Sequence, residues 1–212
     1  MRSTLSIPRS ISLIVLSAFL FMLVPVRASA YYVQYKEQYY RLYHLHLNRY
    51  PDDTMENIYW LEQALKADFC NPLYAIALIE NETEWEKYRY LFTMHLNLKL
   101  VEEYLALGNK WDKKKAYFYN APWKEENLES LETAETCYTT ARHYWDEAIK
   151  WATKAREKRF YFLSLKRVSF WEDEAYRIME EGSLDYGRTI ERELKRLNEV
   201  RETFRAMDEN TY

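Results

Sequence analysis

Glycine is nearly missing from this chain: 212 residues hold three, Gly108, Gly182 and Gly187. Proline is also sparse, and beyond residue 30 only Pro51, Pro72 and Pro122 occur. No Asn-Gly or Asp-Gly pair marks a hairpin, and no long stretch alternates apolar with polar residues. Sheets need such turns and such alternation, so a β-rich fold is excluded. The same scarcity rules out a glycine-rich phosphate loop and a G-x-S-x-G nucleophile elbow. Histidine numbers four. His44 and His46 are two apart, which on a helix turns them about 200° away from each other. Neither cysteine has a C-x-x-C partner, so no metal and no cofactor is expected. Cys137 and His143 are six apart and point to opposite sides of one helix, which is no nucleophile–base pair. Carboxylates are plentiful, as in Glu80, Glu82 and Glu84, and in so charged a chain they read as solvated surface. No catalytic residue is assigned.

Long apolar runs are lacking too, with one exception at the N-terminus. Arg2 and Arg9 precede a fourteen-residue uncharged run over 11–24, and Ala28-Ser29-Ala30 follows. Positive, apolar, then A-x-A is the order of a cleavable secretory signal. Fourteen residues fall short of the roughly 20 that span a bilayer as a helix. Cleavage is expected between Ala30 and Tyr31, with no cysteine there to carry a lipid. The expected product is a single all-α domain over 31–212. It is periplasmic, having crossed the inner membrane, and is not an integral membrane protein.

The three charges ahead of the cleavage point are all basic, so their loss moves the formal net charge from −3 to −6. Mild acidity without a concentrated basic face argues against nucleic acid. Cys70 and Cys137 both lie beyond the signal. An oxidising compartment permits a bridge between them; two buried thiols are the alternative.

What the chain does contain is apolar residues at three- and four-residue spacing inside charged segments. Punctuation divides it into helices over about 32–49, 54–68, a short one from Asn71-Pro72, 83–107 stopped by Gly108, and 111–119. A long helical region over 125–181, with a break expected near Phe160 or Ser169, and an amphipathic last helix over 184–207 complete it. In the last, Ile190, Leu194, Leu197, Val200 and Phe204 form the apolar stripe.

Two segments resemble the tetratricopeptide repeat, a helix–turn–helix unit. In 57–68 Leu61 and Ala64 take the large and small packing positions, and Asn71-Pro72 follows as a junction. In 134–157 Cys137, Ala141 and Tyr144 match a first helix, and Ala148, Ala152 and Ala155 a second. The inter-helix turn is missing between Tyr144 and Ala148. The fold expected is therefore all-α, either a TPR-like helical-hairpin solenoid or an irregular helical bundle. More narrowly, residues 50–74 (YPDDTMENIYWLEQALKADFCNPLY) and 115–122 (KAYFYNAP) resemble small spirochaetal periplasmic proteins of the flagellar-motor collar. That resemblance implies an assembly component, with envelope or flagellar-motor proteins as partners.

Aromatic residues are the chain's real excess: 20 Tyr, 7 Trp and 9 Phe. Tyrosine serves as a large core filler with a polar tip, and Tyr and Trp also dominate interface hot spots. The candidate partner-binding residues are Tyr32, Tyr35, Tyr39 and Tyr43 on the first helix. Trp111, Tyr117, Tyr119 and Trp123 make a second group. The function expected is a non-catalytic periplasmic scaffold. Its rivals are a helical module for a small apolar ligand and a cell-wall glycan hydrolase with dispersed acids.

Overall fold

A computed structural model describes residues 32–208 and Thr211. The signal segment and its cleavage point between Ala30 and Tyr31 lie outside the described residues. Residues 33–212 form a compact unit. Among the described residues there are six α-helices and no strand. The single extended pairing is a parallel bridge between Tyr35 and Asp68.

Polar side chains start four of the six helices. Helix α1 (Lys36–Arg49) begins where Gln38 Oε1 accepts from the Gln34 and Tyr35 amides, at 2.8 and 3.0 Å. It stops at Pro51. Helix α2 (Thr54–Lys66) is capped by Asp53, whose Oδ1 accepts from Glu56 N at 3.3 Å. Such caps satisfy backbone donors that have no partner inside the helix. Asn71-Pro72 was expected to open a helix, but only a three-residue 3-10 turn forms, Pro72–Tyr74. One capped turn followed by few apolar contacts does not propagate. Asn81 is a cap: its Oδ1 accepts from Glu84 N at 2.9 Å and opens the thirty-residue α3 (Glu82–Trp111). After a 3-10 stretch (Phe118–Trp123) comes α4 (Lys124–Ala155). The expected helix over 111–119 is absent, because α3 already ends at Trp111 and the backbone then runs irregularly to the 3-10 stretch. Helix α5 (Ser169–Tyr176) runs into a π-helical turn and ends at left-handed Gly182, φ +64°. Helix α6 (Tyr186–Arg205) is capped by Asp185.

The antiparallel pair α3–α4 is the spine, about 45 and 48 Å long at 1.5 Å per residue. Residues 134–157 do not make the two helices of a repeat, since all but the last two belong to the single helix α4. Its Ala134, Cys137, Ala141, Ala148, Ala152 and Ala155 are buried and let α3 come close. Gly108 lies inside α3 for the same reason and does not stop it. A Cβ there would sit 2.5 Å from the Tyr138 ring of α4. Helix α2 covers α3 on one side, and α6 covers α4 through Ile190, Leu197, Val200 and Phe204. Helix α5 adds Trp171, which stacks on Phe92 of α3 at 4.9 Å with planes 6° apart. Each such side chain contributes roughly 1.5–3 kcal/mol on burial.

The buried charges have partners. Lys36 Nζ donates to the Ala64 and Leu65 carbonyls at 2.9 and 2.5 Å, closing the C-terminal end of α2. Burial lowers its pKa to about 8. Lys87 pairs with Glu172 at 2.6 Å. Arg201 pairs with Glu135, and Lys124 Nζ donates to the Arg205 and Met207 carbonyls at 3.0 Å each. The last two of these contacts, Arg201 with Glu135 and Lys124 with the Arg205 and Met207 carbonyls, lie at one end of the bundle. There the C-termini of α1, α3 and α6 meet the N-termini of α2 and α4.

Candidate functional site

That end carries the aromatic segment 111–123. Its Trp111, Tyr117, Phe118, Tyr119 and Trp123 are all exposed, Phe118 to 65 % and Trp123 to 56 %. Helical periodicity no longer applies past Trp111, so neighbouring aromatics cannot share one buried face. Tyr117 and Tyr119 stack on each other at 5.1 Å, 6° apart, and Phe118 meets Tyr119 edge-on at 5.5 Å. The segment is held at both ends. Ser130 Oγ donates to the Trp111 carbonyl at 2.5 Å, and Asn127 Nδ2 to that of Trp123 at 2.7 Å. Asn120 Oδ1 accepts from Tyr117 N at 3.1 Å.

The firmest anchor is Asp112. Its carboxylate accepts from Tyr138 OH at 2.7 Å and from the Arg196 guanidinium of α6. Burial alone would raise its pKa; the hydrogen bonds of Arg196 and Tyr138 outweigh that and hold it below the usual carboxylate value. Glu193 is lowered against its own desolvation by Arg196 and Lys114 in the same way. Beside this anchor lies a cavity of about 480 Å³ lined by Lys113, Lys115, Tyr117, Tyr119 and Asn127. A second, of about 680 Å³, adjoins Pro122, Lys124, Glu125 and Met207. The surface is thus aromatic, with Lys113, Lys114 and Lys115 along one margin and Glu125, Glu126 and Asp208 along another.

The first-helix candidates fare differently. Tyr43 is only 2 % exposed and sits in the core, so it is no partner contact. Its hydroxyl donates to Glu103 at 3.2 Å. Tyr35 and Tyr39 are half-buried, Tyr39 lying 6.3 Å from the ring of Trp60. Tyr32 alone of that group is fully exposed. Tyr40 is buried and its hydroxyl lies 2.7 Å from His95 Nε2, while His95 Nδ1 is 2.7 Å from Glu174. Phenol, imidazole and carboxylate in series have the order of a proton relay. Burial, followed by the nearby carboxylates of Glu174 and Glu102, raises the Tyr40 pKa, so the phenol is held neutral. Next to it, Tyr40, Arg41, His44, Leu45, Ile76 and Arg167 line a groove of about 500 Å³. Arg167 adopts φ +75°, a left-handed conformation that non-glycine residues seldom take.

Cys70 and Cys137 are free thiols, not a bridge. Cys70 lies beside Glu37 and Tyr88, near the start of α3, and Cys137 lies near Tyr104. Sixteen residues of helix between Tyr88 and Tyr104 amount to about 24 Å. A disulfide needs Cα atoms about 4.4–6.8 Å apart. Burial and then Glu37 push the Cys70 thiol up to about 12.

Sequence spacing pointed away from metal, having considered only pairs on one helix. The fold brings His46 of α1 to Glu56 of α2 and its cap Asp53, with one donor atom from each inside a 4.8 Å cluster. Spacing on separate helices carried no signal of this, nor of the Asp112–Arg196 contact across 84 residues.

Fold and surface define an all-helical bundle whose one end displays aromatic side chains. By sequence, the chain belongs to the family described as a domain of unknown function, DUF8513, whose model matches residues 83–207. That match spans α3 to α6 and includes the aromatic segment; α1 and α2 precede it. No curated protein and no solved structure matches the chain.

Proposed function

We propose that this protein is a non-catalytic scaffold of the periplasm that docks a partner protein through the aromatic end of its bundle. The observation that carries the reading is the segment 111–123, five exposed aromatic side chains on a backbone tied down at Trp111, Asp112 and Trp123. Anchored aromatics are good hot-spot material, because little side-chain or loop freedom is lost on contact. The signal read in residues 1–30 supports the compartment. The resemblance of 50–74 to spirochaetal collar proteins makes envelope and flagellar-motor components the first partners to try. The test is a photo-crosslinking amino acid at Tyr119, compared with the same group at Glu157 on the opposite end. A discrete adduct from Tyr119 alone, lost on Phe118→Ala with Trp123→Ala, is the expected result. Equal labelling from both positions, or none from either, sinks the proposal.

A second reading has its own observation. The groove beside Tyr40 combines Leu45, Ala75 and Ile76 with Arg41 and Arg167, suiting a small apolar ligand with an anionic group. Native mass spectrometry of the purified chain would show such a ligand as a discrete added mass.

A further inference from the structure

We propose that His46, Asp53 and Glu56 form a binding site for one divalent transition-metal ion of the zinc class. The cluster joins the last turn of α1 to the cap and first turn of α2. His46 Nε2 lies 3.9 Å from Asp53 Oδ2 and 3.5 Å from Glu56 Oε2. Zinc bonds of about 2.0–2.2 Å in a tetrahedron put neighbouring ligand atoms about 3.3–3.5 Å apart. The two His46 separations are near the size that such an ion requires, and all three donor atoms lie within 4.8 Å of one another.

Each residue's second polar atom is already engaged, which leaves one donor atom per residue aimed at the common centre. His46 Nδ1 is 2.8 Å from Asn57 Oδ1, and Asn57 Nδ2 donates to Glu103 Oε2 at 3.5 Å. With the Asn57 amide oriented by Glu103, its oxygen accepts from His46. The Nδ1 proton is thereby fixed, and the Nε2 lone pair faces the carboxylates. Asp53 Oδ1 is occupied by the Glu56 amide at 3.3 Å, which frees Oδ2. Glu56 Oε1 accepts from Trp60 Nε1 at 3.2 Å, which frees Oε2. Supporting shells of this kind hold metal ligands in place. Two carboxylates and a neutral imidazole suit a doubly charged ion of mixed nitrogen and oxygen preference. His46 is 11 % exposed while both carboxylates are about half exposed, so a water can complete the fourth position. The ion would clip the 50–53 turn, next to the aromatic end, since Lys110 of α3 donates to Thr54 at 2.7 Å.

Isothermal titration of the purified chain with zinc chloride tests this. One ion per chain is expected. His46→Gln abolishes binding. Asp53→Asn keeps the helix cap and Glu56→Gln keeps an acceptor for Trp60, so both variants fold, and each weakens binding by more than about tenfold. Trp60→Phe, which removes the supporting hydrogen bond and keeps an aromatic ring beside Tyr39, weakens it by about tenfold. A matching rise in Tm with zinc is expected for the native chain and not for His46→Gln. An absence of stoichiometric binding overturns the proposal. Binding that survives His46→Gln, or that ignores both carboxylate substitutions, overturns it too.

Discussion

Two parts of this molecule share a composition and have opposite fates. Helix α1 and its N-terminal lead hold Tyr32, Tyr35, Tyr39, Tyr40 and Tyr43; segment 111–123 holds Trp111, Tyr117, Phe118, Tyr119 and Trp123. In the first, a continuous helix turns Tyr40 and Tyr43 inward, where His95 and Glu103 receive their hydroxyls. In the second, proline and an irregular backbone leave no common face, and the rings stay in solvent. Aromatic density alone therefore did not mark a contact surface. The regularity of the backbone beneath it decided which rings the core absorbed.

The sharpest way to break this contrast is to truncate one residue from each side. Tyr43→Ala should cost about 3–5 kcal/mol, as loss of a core aromatic does. Tyr119→Ala should stay within about 0.5 kcal/mol of the native chain, as a surface change does. Urea unfolding of the two variants measures both, and equal losses would refute the distinction. Next in size is Gly108→Ala, whose new methyl meets Tyr138 at 2.5 Å. Overpacking of that kind costs about 1–3 kcal/mol, and Tyr138→Leu should relieve part of it in a double-mutant cycle.

Asp112→Asn comes third. It weakens the tether of the aromatic segment at a cost of about 1.5–2 kcal/mol at neutral pH, the low end for a hydrogen bond to a charged group, because the Asn amide keeps an acceptor. Asp112 and Glu193 have folded-state pKa values below their ordinary 3.8 and 4.5. Their stabilisation is therefore complete above about pH 5 and is lost as pH falls through the lower folded values. The native chain should lose stability across that acid range, and Asp112→Asn should lose less of it. Chemical denaturation at a series of pH values checks the sign. Smallest is Trp123→Ala. Its Tm should barely move, whereas its affinity for a docked partner should fall by about 2 kcal/mol or more, the measure of a hot spot.

Much of the architecture was legible from spacing. The absence of turn signals gave an all-helical chain, Asp53 marked a real helix start, and the stripe from Ile190 to Phe204 is the face α6 buries. Three features misled for physical reasons. Gly108 looked like a stop, but packing pressure from Tyr138 put it inside a helix. Asn71-Pro72 had the chemistry of a helix start without the apolar face to extend one. The small residues of 134–155 looked like a repeat, yet with no turn between Tyr144 and Ala148 the helix simply continues. The aromatic segment was legible as a group, while its Asp112 anchor depended on Arg196, far along the chain. The His46 cluster depended on two helices meeting.

Four of the seven tryptophans stand at the extremes of burial and give two separate optical reporters, with Trp60, Trp85 and Trp151 part-buried between them. Trp171 is fully buried against Phe92, and Trp145 is nearly so. Trp111 and Trp123 stand half in water at the aromatic end. Red-edge excitation selects the second pair and quenching by iodide reaches it, while the blue-shifted emission of the first follows the state of the core. Fluorescence of the unlabelled chain can therefore tell an event at its surface from an event in its interior.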